Sequence, residues 1–120
     1  MQITTFLHAA ILVTDLDRAQ HFYSTVLGLP QVDRPLKFPG IWYQVGEFQI
    51  HLIATSTVAA NKANTETWGR DRHLAFAIKD LDAVKAHLFS QNYPFQMSTS
   101  GRAALFVQDP DNNVIELNQS

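Results

Sequence analysis

The chain has 120 residues, of which 46 % are aliphatic or aromatic, with a formal charge of −2 and a pI near 6.2. That is the size of one domain, and without a clustered basic patch nucleic acid is excluded as an expected partner. The absence of cysteine rules out disulfides, thiolate nucleophiles and cysteine zinc sites, and fits a reducing, cytoplasmic compartment.

Residues 6–13 form a short apolar run that ends at Thr14-Asp15, which reads as a strand. The run is interrupted by His8, is too short to span a bilayer, and lacks the basic flank and cleavage site of a signal peptide. No membrane role is expected. Side chains alternate along a strand, so Leu7, Ala9, Ile11 and Val13 share one face and His8, Ala10 and Leu12 the other. Asp15 or Thr14 is placed to cap a helix with apolar positions Leu16, Ala19, Tyr23, Val26 and Leu27, ended by Gly28. A short edge strand over residues 31–34 follows, then strands over 41–45 and 48–53 joined at Gly46-Glu47 in a tight hairpin.

The second half repeats this order. Residues 73–78 read as a strand, and Asp80 caps a helix carrying Leu81, Val84 and Leu88. Strands are expected near 96–98, over 103–107 and over 114–117, with a turn at 109–113 rich in Asp, Asn and Pro. That turn lacks the Gly and closing Glu of a calcium loop. Residues 55–71 link the halves. A segment this long is read either as a plain connector or as a lid. The expected organisation is one domain over 1–120, with module one over 1–54, the linker over 55–71 and module two over 72–120.

His8 and His73 are 65 residues apart, and so are His51 and Glu116. Five histidines in 120 residues would put one at a given position roughly one time in twenty-four, so one match alone is weak. At the same offset, however, Ala10 matches Ala75, Asp15-Leu16-Asp17 matches Asp80-Leu81-Asp82, Ile50 matches Ile115 and Leu52 matches Leu117. The chain is therefore a duplicated strand, helix, three-strand module. The duplicated pairs are metal-ligating residue types, so His8, His51, His73 and Glu116 are the expected ligands of one divalent ion. Strand parity places all four opposite the bulky apolar residues. Glu116 has no Lys or Arg on its strand, and burying it unpaired would cost several kcal/mol. A cation would supply the missing charge. His21 and His87 fall in the helices at an offset of 66 and read as helix-surface or packing residues.

The pattern His8-x-x-x-x-Val13-x-Asp15-Leu16-Asp17, then Phe22-Tyr23-x-x-Val26-Leu27-Gly28-Leu29, and Asp109-Pro110-Asp111-Asn112-x-x-Ile115-Glu116-Leu117 resembles the vicinal oxygen chelate family. That family includes glyoxalase I, extradiol dioxygenases, fosfomycin-modifying transferases and bleomycin-sequestering proteins. The resemblance implies an α+β fold, two βαβββ modules forming a curved eight-stranded mixed sheet of paired half-barrels. It also implies metal ligation by the first and last strand of each module, again His8, His51, His73 and Glu116. The chain departs from bacterial-type glyoxalase I at His51, usually Glu, at Leu12, usually an arginine for glutathione, and at Thr55, usually Asn.

The implied function is a metal-dependent glyoxalase-type lyase or isomerase acting on a small oxygen-chelating substrate. Its ion would be nickel, zinc, cobalt, manganese or iron. Three neutral imidazoles and one carboxylate leave such a centre with a charge of about +1. Glu116 is the candidate proton-transfer base, and Arg72 and Arg102 are candidate anchors for an anionic substrate. Two alternatives stand beside this reading. His8, His73 and Glu116 alone would suit ferrous iron in an extradiol-type dioxygenase, and the fold also serves as a metal-free sequestering module. The family often forms shared sites across dimers, so a homodimer is expected.

Overall fold

The computed structural model describes residues 1–57 and 66–120. In module one, β1 (His8–Val13) runs parallel to β4 (Phe48–Ala54). β4 pairs antiparallel with β3 (Gly40–Val45), and β3 pairs antiparallel with the two-residue β2 (Gln31–Val32). The strand order is β1-β4-β3-β2. β3 and β4 meet at Gly46-Glu47, where positive φ falls on Gly46 (+58°) and not on Glu47, the pattern of a type II′ hairpin turn.

The helix of module one starts as expected and ends differently. The Asp15 side chain caps α1 (Leu16–Gln20) by accepting the Arg18 N–H at 3.1 Å, which satisfies a donor the first turn leaves open. From His21–Val26 the backbone continues as a π-helical segment, and the Leu27 N–H reaches back five residues to the Phe22 carbonyl at 2.9 Å. The wider turn lets Phe22 and Tyr23 both bury, together with Ala19 and Val26. The expected α-helical spacing puts Leu16, Ala19, Tyr23, Val26 and Leu27 on that face and leaves Phe22 out, which the structure corrects. Gly28 (φ +74°) follows and turns the chain away. These residues cover the face of the sheet carrying Ile11, Val13, Ile41, Tyr43, Ile50 and Leu52. Tyr43 OH shares a 2.8 Å hydrogen bond with Ser24 Oγ beneath the helical segment. Phe48, expected on this apolar face, is instead exposed and packs edge-on against Phe6, 5.2 Å between ring centroids.

Module two repeats the plan. β5 (His73–Ile78) runs parallel to β8 (Val114–Gln119), followed by antiparallel β7 (Ala104–Gln108) and β6 (Gln96–Met97). Asp80 caps α2 (Leu81–Ser90) through the Ala83 N–H at 3.1 Å. Leu81 and Leu88 bury with Leu105, Val107, Ile115 and Leu117. Each such aliphatic side chain contributes about 1.5–3 kcal/mol. The turn at 109–113 is organised by the buried Asp109 carboxylate. It accepts the N–H groups of Asp111 (2.9 Å) and Asn113 (2.8 Å) and the Asn113 side-chain amide (2.8 Å). This is a hairpin turn that holds itself together.

The protein is thus α+β, the eight strands among the described residues falling into two four-stranded mixed sheets of βαβββ plan. The described chain divides into two units, Met1–Ala59 and Ala60–Ser120. No helix among the described residues is long and apolar enough to cross a membrane. Residues 58–65 of the expected linker, and with them its role as lid or connector, lie outside the described residues. The linker's end is ordered: Trp68–Arg70 forms a 3₁₀ turn. Gln96 holds it by accepting the Trp68 N–H (2.8 Å) and donating to the Glu66 carbonyl (2.6 Å).

Candidate functional site

In module one the register places His8 opposite Gln49 and Ala10 opposite His51, and sets Trp42 opposite His51. Residues at i and i+2 share a face, so His8, His51 and Trp42 lie together on the side away from the helix. Their rings form a stack. The His8 and His51 centroids are 4.0 Å apart at 16°, and Trp42 and His51 are 4.0 Å apart at 5°. His51 is the sandwiched ring, 9 % exposed.

A chain of amides sets the protons on His51. The Gln44 side-chain N–H₂ donates to the Gly46 carbonyl at 2.8 Å, an acceptor that admits only one amide orientation. Gln44 Oε1 then accepts from Gln49 Nε2 at 3.0 Å, and Gln49 Oε1 faces His51 Nε2 at 2.8 Å. His51 Nε2 must therefore donate, which leaves the lone pair of the neutral ring on Nδ1. Burial first, then the neighbouring His8 and Arg34, hold this imidazole below its ordinary pKa. It is neutral near pH 7, the form that ligates metals.

In module two the register sets His73 opposite Val114 and Ala75 opposite Glu116, so His73 and Glu116 share a face as His8 and His51 do. His73 Nδ1 lies 2.7 Å from the Asp71 carbonyl, which can only accept. Nδ1 therefore carries the proton, and Nε2 faces Glu116 Oε1 at 3.2 Å. Two lone pairs cannot face each other at that distance without a proton or a cation between them. Phe106, opposite Glu116 in the register, packs edge-on against His73 with centroids 5.5 Å apart.

Glu116 is 3 % exposed, and its charge is answered from off its strand. Arg102, on the turn before β7, brings Nη2 to 3.3 Å of Oε1, and Asn118 Nδ2 donates to Oε2 at 2.9 Å. The strand of Glu116 itself carries no Lys or Arg, as the sequence indicates, and the positive partner comes from a turn instead. Strand-by-strand counting misses an arginine that folds back from a turn. Arg72 is exposed. His21 and His87 are exposed on their helices, apart from both pairs.

The donor chemistry suits a divalent ion. Donors bound at about 2.0–2.2 Å to one ion sit roughly 3.0–3.4 Å from each other, and the His73–Glu116 separation of 3.2 Å falls there. A carbonyl behind the other ring nitrogen is the usual orienting partner of a ligating histidine. Among the described residues, no group of three or more His, Cys, Asp or Glu is gathered that could hold a metal ion.

The residues missed by sequence reading are Gln44, Gln49, Trp42, Phe106 and Arg34. Trp42 and Phe106 were within reach, since they repeat at an offset of 64. The offset drops from 65 because the paired positions are nine residues apart in one hairpin (42 and 51) and ten in the other (106 and 116).

Residues 5–117 match the Glyoxalase/Bleomycin resistance protein/Dioxygenase superfamily. The chain belongs to that superfamily. The vicinal oxygen chelate resemblance of the sequence is thereby shown. Among relatives, the Escherichia coli (strain K12) protein YaeR is 30 % identical over 119 residues, covering 92 % of each chain. The Arabidopsis thaliana protein Glyoxylase I 4 is 25 % identical over 124 residues, covering 98 % of this chain and 71 % of that one. A crystal structure of a Bacillus anthracis protein assigned to the glyoxalase family superposes with a TM-score of 0.82 at 21 % identity. It covers 100 % of this chain and 98 % of the other, a likeness of fold. Superfamily membership makes the duplicated face that carries these residues the natural place to look for chemistry.

Proposed function

We propose that this protein is a metal-dependent glyoxalase-I-like enzyme acting on a small substrate with two neighbouring oxygens. His8 and His51 of one module and His73 and Glu116 of the other are its metal ligands. The observation that carries the proposal is the His73–Glu116 pair. One ring nitrogen is tied to a carbonyl, and the other is set at ligand spacing, 3.2 Å, from a buried carboxylate. A relative named as a glyoxalase supports it. A divalent ion bound there supplies Lewis-acid stabilisation of negative charge developing on substrate oxygen.

The chain's own residues then divide the remaining work. His73 is oriented by the Asp71 carbonyl, and His51 is kept neutral by burial and by its neighbours. Glu116 Oε2 is held by Asn118. Glu116 is the only carboxylate of the set and moves the substrate proton. The protein is further proposed to act as one domain over 1–120, in the cytoplasm, as a homodimer. Sedimentation as a monomer at micromolar concentration would remove the last of these.

The test begins with metal analysis of protein purified without an affinity tag, followed by hemithioacetal isomerisation assays with several thiols. Bound nickel, zinc, cobalt, manganese or iron is expected. His73→Ala and Glu116→Gln should lose metal uptake, whereas His51→Ala should only weaken it. Metal-free protein whose thermal stability ignores added nickel, zinc and iron would overturn the reading.

That outcome would favour a second one, ligand sequestration without metal. Its specific support is the Arg102–Glu116 ion pair, which already answers the buried charge.

A further inference from the structure

Arg34 carries a charge that its surroundings use incompletely. Its Nη1 donates to the Leu36 carbonyl at 3.3 Å, and its Cζ lies 4.6 Å from the Phe38 ring centroid. Nε and Nη2 are buried and, among the described residues, have no hydrogen-bond partner. No carboxylate among those residues forms an ion pair with it either.

These two nitrogens are the adjacent donors along one edge of the guanidinium plane. That edge grips a carboxylate or phosphate with two parallel hydrogen bonds. A buried donor left unpaired costs about 1–3 kcal/mol, and more when charged. A buried guanidinium edge without a partner among the described residues is explained most simply by a ligand that completes it.

The guanidinium also sits in the right neighbourhood. It lies against Gly40, where an added Cβ would come within 3.2 Å of Nη2 and 3.3 Å of Cζ. Gly40 is two residues before Trp42 on β3, and Trp42 stacks on His51. The charge of Arg34 is felt at His51 as well. The two arginines expected to anchor an anion compare poorly: Arg102 is engaged by Glu116 and Arg72 is exposed.

We propose that Arg34 is an oxyanion-binding residue whose Nε and Nη2, covered in the free protein, are uncovered by a side-chain shift to receive a carboxylate or phosphate group of the ligand taken up beside His8, His51 and Trp42. The substrate class is then narrowed to a small compound that carries an acidic group as well as its chelating oxygens. As a statement about substrate this rests on the proposed function. As a statement about binding it does not.

The experiment uses chelator-treated protein, so it reads anion binding apart from any metal. The Arg34 Nε–H resonance is followed by proton–nitrogen NMR during titration with inorganic phosphate and, separately, acetate, against chloride at matched ionic strength. A saturable shift of Arg34, carried to the Trp42 indole, is expected with at least one oxyanion and not with chloride. The anion giving the tighter response identifies the acidic group. Arg34→Met should weaken that binding roughly tenfold or more, while Arg34→Lys keeps part of it. Arg34→Met should change thermal stability little, because the lost Leu36 and Phe38 contacts are offset by removal of two unpaired buried donors. An Arg34 resonance indifferent to both oxyanions would overturn the proposal. So would unchanged affinity in Arg34→Met, or a clear loss of stability in that variant, which would make the side chain structural. If metal analysis fails and this titration succeeds, the anion site stands without the metal centre.

Discussion

Replacing Arg102 by Met tests how Glu116 is kept in the fold. Arg102 and a divalent ion would draw on the same oxygen, Oε1, which Nη2 approaches to 3.3 Å and His73 Nε2 to 3.2 Å. A hydrogen bond to a charged group is worth about 1.5–3 kcal/mol. The Arg102 side chain is 55 % exposed, so solvent screening reduces its share to about 1 kcal/mol. For a chain of this size that corresponds to a fall in Tm of about 4 °C. An ion bound at Oε1 would compete with the same interaction. Its removal should therefore strengthen nickel or zinc binding about fivefold, since 1.4 kcal/mol is a factor of ten. Calorimetry of both proteins, with chelator and then with saturating metal, should show a deficit in chelator that closes in metal. A variant as stable as the wild type without metal, or a deficit that persists unchanged in metal, would refute competition between Arg102 and the ion for Glu116.

Three further outcomes follow from the same geometry. A Cβ added at Gly69 would lie 2.5 Å from Phe106 Cζ, so Gly69→Ala should cost about 1–3 kcal/mol by overpacking. Because Phe106 rests on His73, it should also shift the His73 NMR signals, with Phe106→Leu relieving both effects. Tyr93 donates to the Gln108 carbonyl at 2.6 Å, and burial, helped by Asp109, raises its pKa to about 12. The folded form thus favours the neutral phenol: its stabilisation is complete below pH 10 and is lost as pH rises towards 12. Tyr93→Phe should flatten that part of the stability–pH curve and cost about 1 kcal/mol at neutral pH. Finally, nitrogen-15 NMR of labelled histidine should find neutral His51 protonated at Nε2. Gln49→Leu should turn it into a mixture of tautomers, and a wild-type ring protonated at Nδ1 would contradict the amide chain.

Much of this protein was legible in the chain because duplication writes the same periodicity twice. Alternation along residues 8–13 and 73–78, Asp15 and Asp80 as helix caps, and Gly46 at a hairpin are local effects, each settled by neighbours a few residues away. They were enough to place both modules and to put His8 beside His51, and His73 beside Glu116, on one face of their sheets. The π-helical turn was not legible, since its wider spacing arises from the need to bury Phe22 and Tyr23 together against the sheet. Nor was the fate of single charges and protons. Arg102 reaches Glu116 across 14 residues, Arg34 leaves two donors unpaired, and a Gly46 carbonyl decides through two glutamines which nitrogen of His51 keeps its proton. Sequence pattern chose the strands and the candidate ligand residues, because those depend on period and residue chemistry. Only folding decided which cation meets which carboxylate, because that depends on distances between side chains that turns bring together.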